Sequence, residues 1–135
     1  MKILIVDDDP VSRTILRKIV ASQPEHQVTD AANGATGWAL LDDPNRYFDL
    51  VFLDLTMEAP DGFELARRIR SSPLLASIEI VFCTGSNDRA TITKAVQLGV
   101  RHYIVKPCSE AVVLAKLQQI RPTPPVANER RFARA

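Results

Sequence analysis

Short apolar runs, each stopped by a polar residue, alternate along this chain with segments of helical period, and that alternation narrows the fold more than any other feature. Ile3–Val6 is aliphatic throughout and ends at Asp7. Leu50–Leu53 ends at Asp54, Ile78–Cys83 at Thr84-Gly85, and Tyr103–Val105 at Lys106-Pro107. Runs this short with little polar alternation are buried on both faces, as strands inside a parallel sheet are. A further short strand is expected around Gln27–Ala31, before the Asn33-Gly34 turn.

Helix signals fill the gaps. Asp9-Pro10 supplies a capping acid and a proline at the first helical position. Val11, Ile15, Leu16, Ile19 and Val20 come next as one apolar face. Ala35, Trp38, Ala39 and Leu41 mark a second helix. After Pro60-Asp61-Gly62 comes a third, with Phe63, Ala66 and Ile69 inward and Arg67, Arg68 and Arg70 outward. Ser86, Asn87 and Asp88 offer caps for a fourth, with Ile92, Ala95 and Val96 as its apolar side through Leu98. Ser109 caps a last helix carrying Val113, Leu114, Leu117 and Ile120. Five strands alternating with five helices predict a parallel α/β sheet covered on both faces by right-handed crossovers.

Composition excludes other classes. At 135 residues with 46% hydrophobic and 24% charged residues, the chain is one domain rather than a disordered or fibrous sequence. No apolar run approaches the roughly 18 residues of a membrane span. Asp7, Asp8 and Asp9 stand where a secretory signal needs an apolar core, so a cytoplasmic protein without membrane contact is expected. Cys83 and Cys108 have no partner at metal-ligand spacing and read as two buried or half-buried free thiols. Residues 121–135 carry four arginines against Glu129, a charge of +3; with +1 on the whole chain, residues 1–120 carry −2. That body is no surface for nucleic acid. The stretch 121–135, with Pro122, Pro124 and Pro125, reads as a tail or linker after a domain of residues 1–120.

In a parallel sheet of this kind ligands bind beyond the carboxyl ends of the strands. Those ends carry Asp7 and Asp8, Asp54, Thr84 and Lys106. Helix capping accounts for acids and hydroxyls such as Asp9, Asp30 and Ser109, but not for three carboxylates, a hydroxyl and an ammonium brought to one edge. Two carboxylates about 4 Å apart repel by roughly 4 kcal/mol at an effective dielectric of about 20. A cluster of three must take up protons or hold a cation. Hard oxygen donors without thiolate or imidazole favour Mg²⁺, which completes its shell with water and phosphate. With Lys106 added, the edge suits a phosphoryl group.

The segments Ile-Leu-Ile-Val-Asp7-Asp8-Asp9-Pro10, Leu53-Asp54-Leu-Thr-Met57, Asp61-Gly62, Thr84-Gly85 and Tyr103-x-x-Lys106-Pro107 occur here in order, each at its strand end. In these motifs the chain resembles, over about residues 2–120, the receiver domains of two-component response regulators. The resemblance implies a flavodoxin-like (βα)5 three-layer sandwich with strand order 2-1-3-4-5. It implies Asp54 as phosphoacceptor, with Mg²⁺ held by Asp8, Asp54 and the backbone carbonyl of Thr56, and by Asp7 directly or through water. Lys106, Thr84 and Gly85 would bind the phosphoryl oxygens, and Thr84 and Tyr103 would form the switch. The Lys106-Pro107 bond is expected cis. Thr56 and Ser86 would tune dephosphorylation. A histidine kinase or histidine phosphotransfer protein would donate, and a protein target or output domain would receive the signal. The fourth helix, fifth strand and fifth helix would form the partner or dimer face. Two departures stand out: Glu58 where the family usually has Pro, and Cys108 at a commonly aromatic position.

A different chemistry shares part of the pattern. Asp7-x-Asp9-x-Val11 fits haloacid-dehalogenase-like phosphatases, with Asp7 as nucleophile and Thr84-Gly85 and Lys106 as later motifs. That family needs a further acidic metal motif, and Pro107–Ile120 holds only Glu110. A receiver that has lost phosphorylation would lack an acid, the hydroxyl or the lysine, and all are present.

Overall fold

The computed structural model describes residues 1–85 and 88–120. The expectations for Ser86 and for residues 121–135 lie outside them. Strands and helices alternate as β1 (Lys2–Val6), α1 (Pro10–Ala21), β2 (Gln27–Ala31), α2 (Gly34–Leu41), β3 (Leu50–Asp54), α3 (Gly62–Ser71), β4 (Glu79–Thr84), α4 (Arg89–Gln97), β5 (His102–Val105) and α5 (Glu110–Gln119). Every strand pairing is parallel and the order is β2-β1-β3-β4-β5, as expected. Among the described residues no helix is long and apolar enough to cross a membrane.

Alternation along the strands divides the core into two layers. Leu4, Val6, Val51, Leu53, Ile80 and Phe82 pack under α2, α3 and α4 with Leu41, Leu65, Ala66, Ile69 and Ala95. Ile3, Ile5, Leu50, Phe52, Val81 and Cys83 face the other way, onto Leu16 and Val20 of α1 and Val113 and Leu117 of α5. The central strands are buried on both faces, which is why their sequences are apolar without a break. Each helix begins at a side-chain cap: Asp9, Asn33, Asp61, Asp88 and Ser109 each accept a backbone N–H from the first turn. Such caps stabilise by about 1 kcal/mol each.

Several inward assignments are corrected. Val11 and Ile15 are 66% and 45% exposed, and Val96 is 68% exposed. Leu16 and Val20, four residues apart, fill the contact with the sheet, and Ile15 lies about 100° round the helix from Leu16. Ala95 likewise takes the inward position beside Val96. In α2 the inward face is Gly34, Gly37 and Leu41, while Ala35 and Ala39 are exposed. Asp30 caps nothing; it pairs with Arg13 and Arg17 of α1. Arg70 is not an outward charge either, since its guanidinium donates to the carbonyls of Ala76 and Ile78, both at 2.8 Å.

Close approaches at the carboxyl edge fix the path of the chain after β3. A Cβ on Gly62 would lie 2.5 Å from the Asp54 carbonyl oxygen, so α3 starts against the strand end that carries the acid. A Cβ on Gly34 would lie 1.9 Å from the Pro60 carbonyl oxygen, which seats the β3–α3 loop on α2. Among the described residues nothing lies within 4 Å of the same position on Gly85. Gly62→Ala is therefore expected to destabilise the fold by about 2–3 kcal/mol in urea unfolding, while Gly85→Ala changes it by less than about 0.5 kcal/mol.

Candidate functional site

Parallel pairing puts every strand's carboxyl end on one edge, and the strand order decides which ends are neighbours. β1 lies beside β3, so Asp7, directly after β1, sits next to Asp54, the last residue of β3. Asp8 comes next on the outside, and oxygens of Asp7, Asp8 and Asp54 lie within 4.8 Å of one another. Asp7 and Asp54 are each 2% exposed; Asp8 is exposed. Lys106 comes directly after β5, two strands from β3. Its backbone N–H donates to the Thr84 carbonyl at 2.7 Å, and its side chain crosses the end of β4. The ammonium reaches Asp7 Oδ2 at 3.1 Å and Asp54 Oδ2 at 3.2 Å. The Lys106-Pro107 bond is cis, as expected, and Ala59-Pro60 is cis as well.

The two buried acids are held differently. Oδ1 of Asp54 accepts the backbone N–H and the hydroxyl of Thr56, both at 3.0 Å. Oδ1 of Asp7 accepts the Asp9 N–H at 2.9 Å. For Asp7 burial dominates and, with the repulsion of Asp54, holds its carboxyl above the ordinary value against the donation from Asp9 and Ser12. Burial also works to raise Asp54, but donation from Thr56, the proton shared with Asp7 and the charge of Lys106 together hold it below the ordinary value. Of the two acids, Asp7 is therefore the one that holds a proton more readily and Asp54 the one that gives it up more readily. Burial works to lower Lys106; the charges of Asp54 and Asp7 outweigh it and keep the ammonium above its ordinary value.

Three carboxylates against one ammonium leave two formal negative charges. Hard oxygen donors in that number fit a divalent cation. The Thr56 carbonyl belongs to the same turn as the Asp54 contacts. Thr84 is buried at the end of β4, and Gly85 is exposed above it. Tyr103 stands apart: it lies on the edge strand β5, opposite Phe82, and is 40% exposed. Glu58 is exposed on the β3–α3 loop. Sequence reasoning missed Ser12 and Arg13, in the first turns of α1. Ser12 donates to the Asp7 carboxylate, and Arg13 donates to the Asp7 carbonyl at 2.9 Å. Their only signal was position, since a polar residue just inside a capped helix faces back to the strand end.

Comparison with known proteins agrees with this geometry. Residues 3–118 match the response regulator receiver domain family. The chain is 33% identical over 120 residues to the chemotaxis protein CheY-3 of Vibrio cholerae, covering 89% of this chain and 91% of that one. To the chemotaxis protein CheY1 of Helicobacter pylori it is 30% identical over 120 residues, covering 89% and 96%. Among solved structures it resembles the signal receiver domain of a DNA-binding response regulator from Colwellia psychrerythraea, with TM-score 0.80, 28% identity and 88% and 96% coverage.

The charge balance has a measurable consequence. Folded Asp7 binds its proton more tightly than unfolded Asp7, so above that raised value its ionised form destabilises the fold. The effect fades as pH falls through the raised value and is gone below the ordinary 3.8, where both states are protonated. Asp7→Asn is therefore expected to stabilise the cation-free protein at neutral pH by about 1–2 kcal/mol. Added Mg²⁺ is expected to raise the melting temperature of the wild type and to leave that of Asp7→Asn unchanged.

Proposed function

The chain belongs to the response regulator receiver domain family, and from that membership we propose that it is a phosphoacceptor switch, taking a phosphoryl group from a histidine kinase or histidine phosphotransfer protein onto Asp54. Two-component and chemotaxis signalling is the setting of the family, and phosphorylation and Mg²⁺ are its general features. The observation that carries the reading is the state of Asp54: ionised, buried at the end of a central strand, its Oδ1 fixed by Thr56 and its Oδ2 beside Lys106.

An ionised carboxylate is already a nucleophile, so the site has only to orient it and offset charge. An Asp54 oxygen attacks phosphorus in line, and the bond from phosphorus to the donor breaks. Asp8, Asp54 and the Thr56 carbonyl, with Asp7 directly or through water, would hold Mg²⁺, which would supply charge neutralisation at the phosphoryl oxygens. Lys106 turns from the Asp54 carboxylate to the phosphoryl group, and Thr84 and Gly85 give it hydrogen bonds. The phosphoryl group brings roughly 1.5–2 negative charges. Thr84 moving toward it leaves space that the ring of Tyr103 fills. Thr56 and Ser86 flank the path of the hydrolytic water and set the lifetime of the phosphoryl group. Asp7 as nucleophile of a phosphatase fits less well, because its surroundings hold its carboxyl above the ordinary value while those of Asp54 hold that carboxyl below it.

The partner face is assigned to α4, β5 and α5. Val96, Tyr103, Val105 and Val112 are all exposed there, an apolar set that a partner protein, an output domain or a second copy would cover. Residues 1–120 form the receiver and 121–135 a tail or linker, in a cytoplasmic protein without nucleic-acid contacts of its own.

Intact mass after incubation with Mg²⁺ and a small acyl phosphate tests the reading. The wild type is expected to gain one phosphoryl group, and Asp54→Asn none. Phosphate release that persists in Asp54→Asn would move the nucleophile to Asp7.

A further inference from the structure

Beneath the charged edge, on the α1 and α5 side of the sheet, lie the two cysteines. Cys83 precedes Thr84 in β4 and is 2% exposed; Cys108 comes after Pro107 in the β5–α5 loop and is half-buried. They are far apart in sequence, but β4 pairs with β5 through Thr84 and Val105, and the Lys106 N–H to Thr84 carbonyl bond carries that pairing one residue further. Cys83 belongs to the apolar cluster on this side of the sheet, and Cys108 packs against the same cluster. Cys108 belongs to neither β5 nor α5, so the loop can take up the closing movement that a bond requires.

We propose that Cys83 and Cys108 form a peroxide-sensitive thiol pair whose disulfide clamps the end of β4 to the β5–α5 loop and fixes Thr84 and Lys106 between them. The consequence for phosphorylation rests on the phosphoacceptor reading; formation of the clamp does not. The accessible sulfur is that of Cys108. It attacks one oxygen of hydrogen peroxide, the O–O bond breaks, and the released hydroxide leaves with the thiol proton as water, giving a sulfenic acid. The Cys83 sulfur then attacks the Cys108 sulfur, the S–O bond breaks, and a second water leaves with the Cys83 proton. Two thiols lose two electrons and one peroxide becomes two waters.

The chemical division of labour comes from the surroundings. The contact with Cys83 and the nearby Lys106 charge hold Cys108 below the ordinary thiol value, against burial. The contact with Cys108 and full burial hold Cys83 well above it. The more exposed sulfur is thus the one suited to meet the oxidant, and the buried one to resolve it.

The clamp sits where the site has least tolerance. Thr84 adjoins one cysteine, and Lys106 lies two residues before the other. A reacting group displaced by a fraction of an ångström slows its step by about tenfold or more.

The test treats the reduced protein with hydrogen peroxide. Expected are a loss of two hydrogens in intact mass, a Cys83–Cys108 peptide link in a monomer, and reversal by dithiothreitol. Cys108→Ser and Cys83→Ala each remove the link, and the first leaves the core intact should the second fold poorly. The oxidised wild type is expected to accept phosphoryl from a small donor about tenfold more slowly, with Cys108→Ser indifferent to peroxide. Sulfinic acid at Cys108, a Cys108-linked dimer, or a disulfide that leaves the rate unchanged would overturn the proposal. If the reduced protein accepts no phosphoryl group, the phosphoacceptor reading fails by itself. The clamp is then judged by melting temperature, which the disulfide must raise.

Discussion

The ammonium of Lys106, lying between the carboxylates of Asp7 and Asp54, is the interaction on which the carboxyl edge of this sheet depends. Two acids buried this deeply repel one another and lose their hydration, and the ammonium together with the hydrogen bonds to each carboxylate offsets the cost. The lysine can serve because its backbone is tied to β4 while its side chain runs past Thr84 to the ends of β1 and β3. One residue thereby links the ends of four adjacent strands: its own, β4, β3 and β1. Any group that draws the ammonium away from Asp54 changes the contacts of all of them.

The rest of the fold holds that edge in place. β3 is buried along its whole length, so Asp54 has little freedom to retreat. Thr56 locks one carboxylate oxygen by two hydrogen bonds, and Gly62 lets α3 begin directly against the Asp54 carbonyl. Below the edge the floor is closed. Above it Asp8, Thr56 and Gly85 are exposed, which leaves the buried acids open to solvent on that side. A rigid floor under an open top suits a site that must accept charge and pass the effect sideways, along β4 and β5, rather than downward into the core.

Much of this was legible in the sequence because it is local. Apolar runs gave four of the strands, and capping residues gave the helix starts at Asp9 and Ser109 and, among Ser86, Asn87 and Asp88, the start of α4. Strand-end position alone singles out Asp7, Asp8, Asp54, Thr84 and Lys106, without knowledge of any contact. Helix faces are less legible. Val11, Ile15 and Val96 are apolar and correctly spaced, yet they point to solvent, because Leu16, Val20 and Ala95 occupy the contacts with the sheet. Periodicity shows that a helix has an apolar side; it does not show how far round the axis the sheet reaches. Arg70 and Asp30 escape sequence reasoning for a related reason. Their partners, the carbonyls of Ala76 and Ile78 and the guanidinium groups of Arg13 and Arg17, come from other turns and elements.

Sequence alone determined the class of fold, the sign and chemical type of the groups at the sheet edge, and the family motifs that name them. These rest on short-range rules, since burial pattern and capping are set by residues a few positions apart. Tertiary structure decided which of two neighbouring aspartates holds a proton more readily, because that depends on Thr56, Asp9, Ser12 and Lys106 converging from different elements on two buried carboxylates. It also decided that Cys83 and Cys108 share one cluster, and that Tyr103 lies on the edge strand, 40% exposed. Electrostatic and packing energies depend on distance in space, and only the closing of β1, β3, β4 and β5 into one sheet sets those distances.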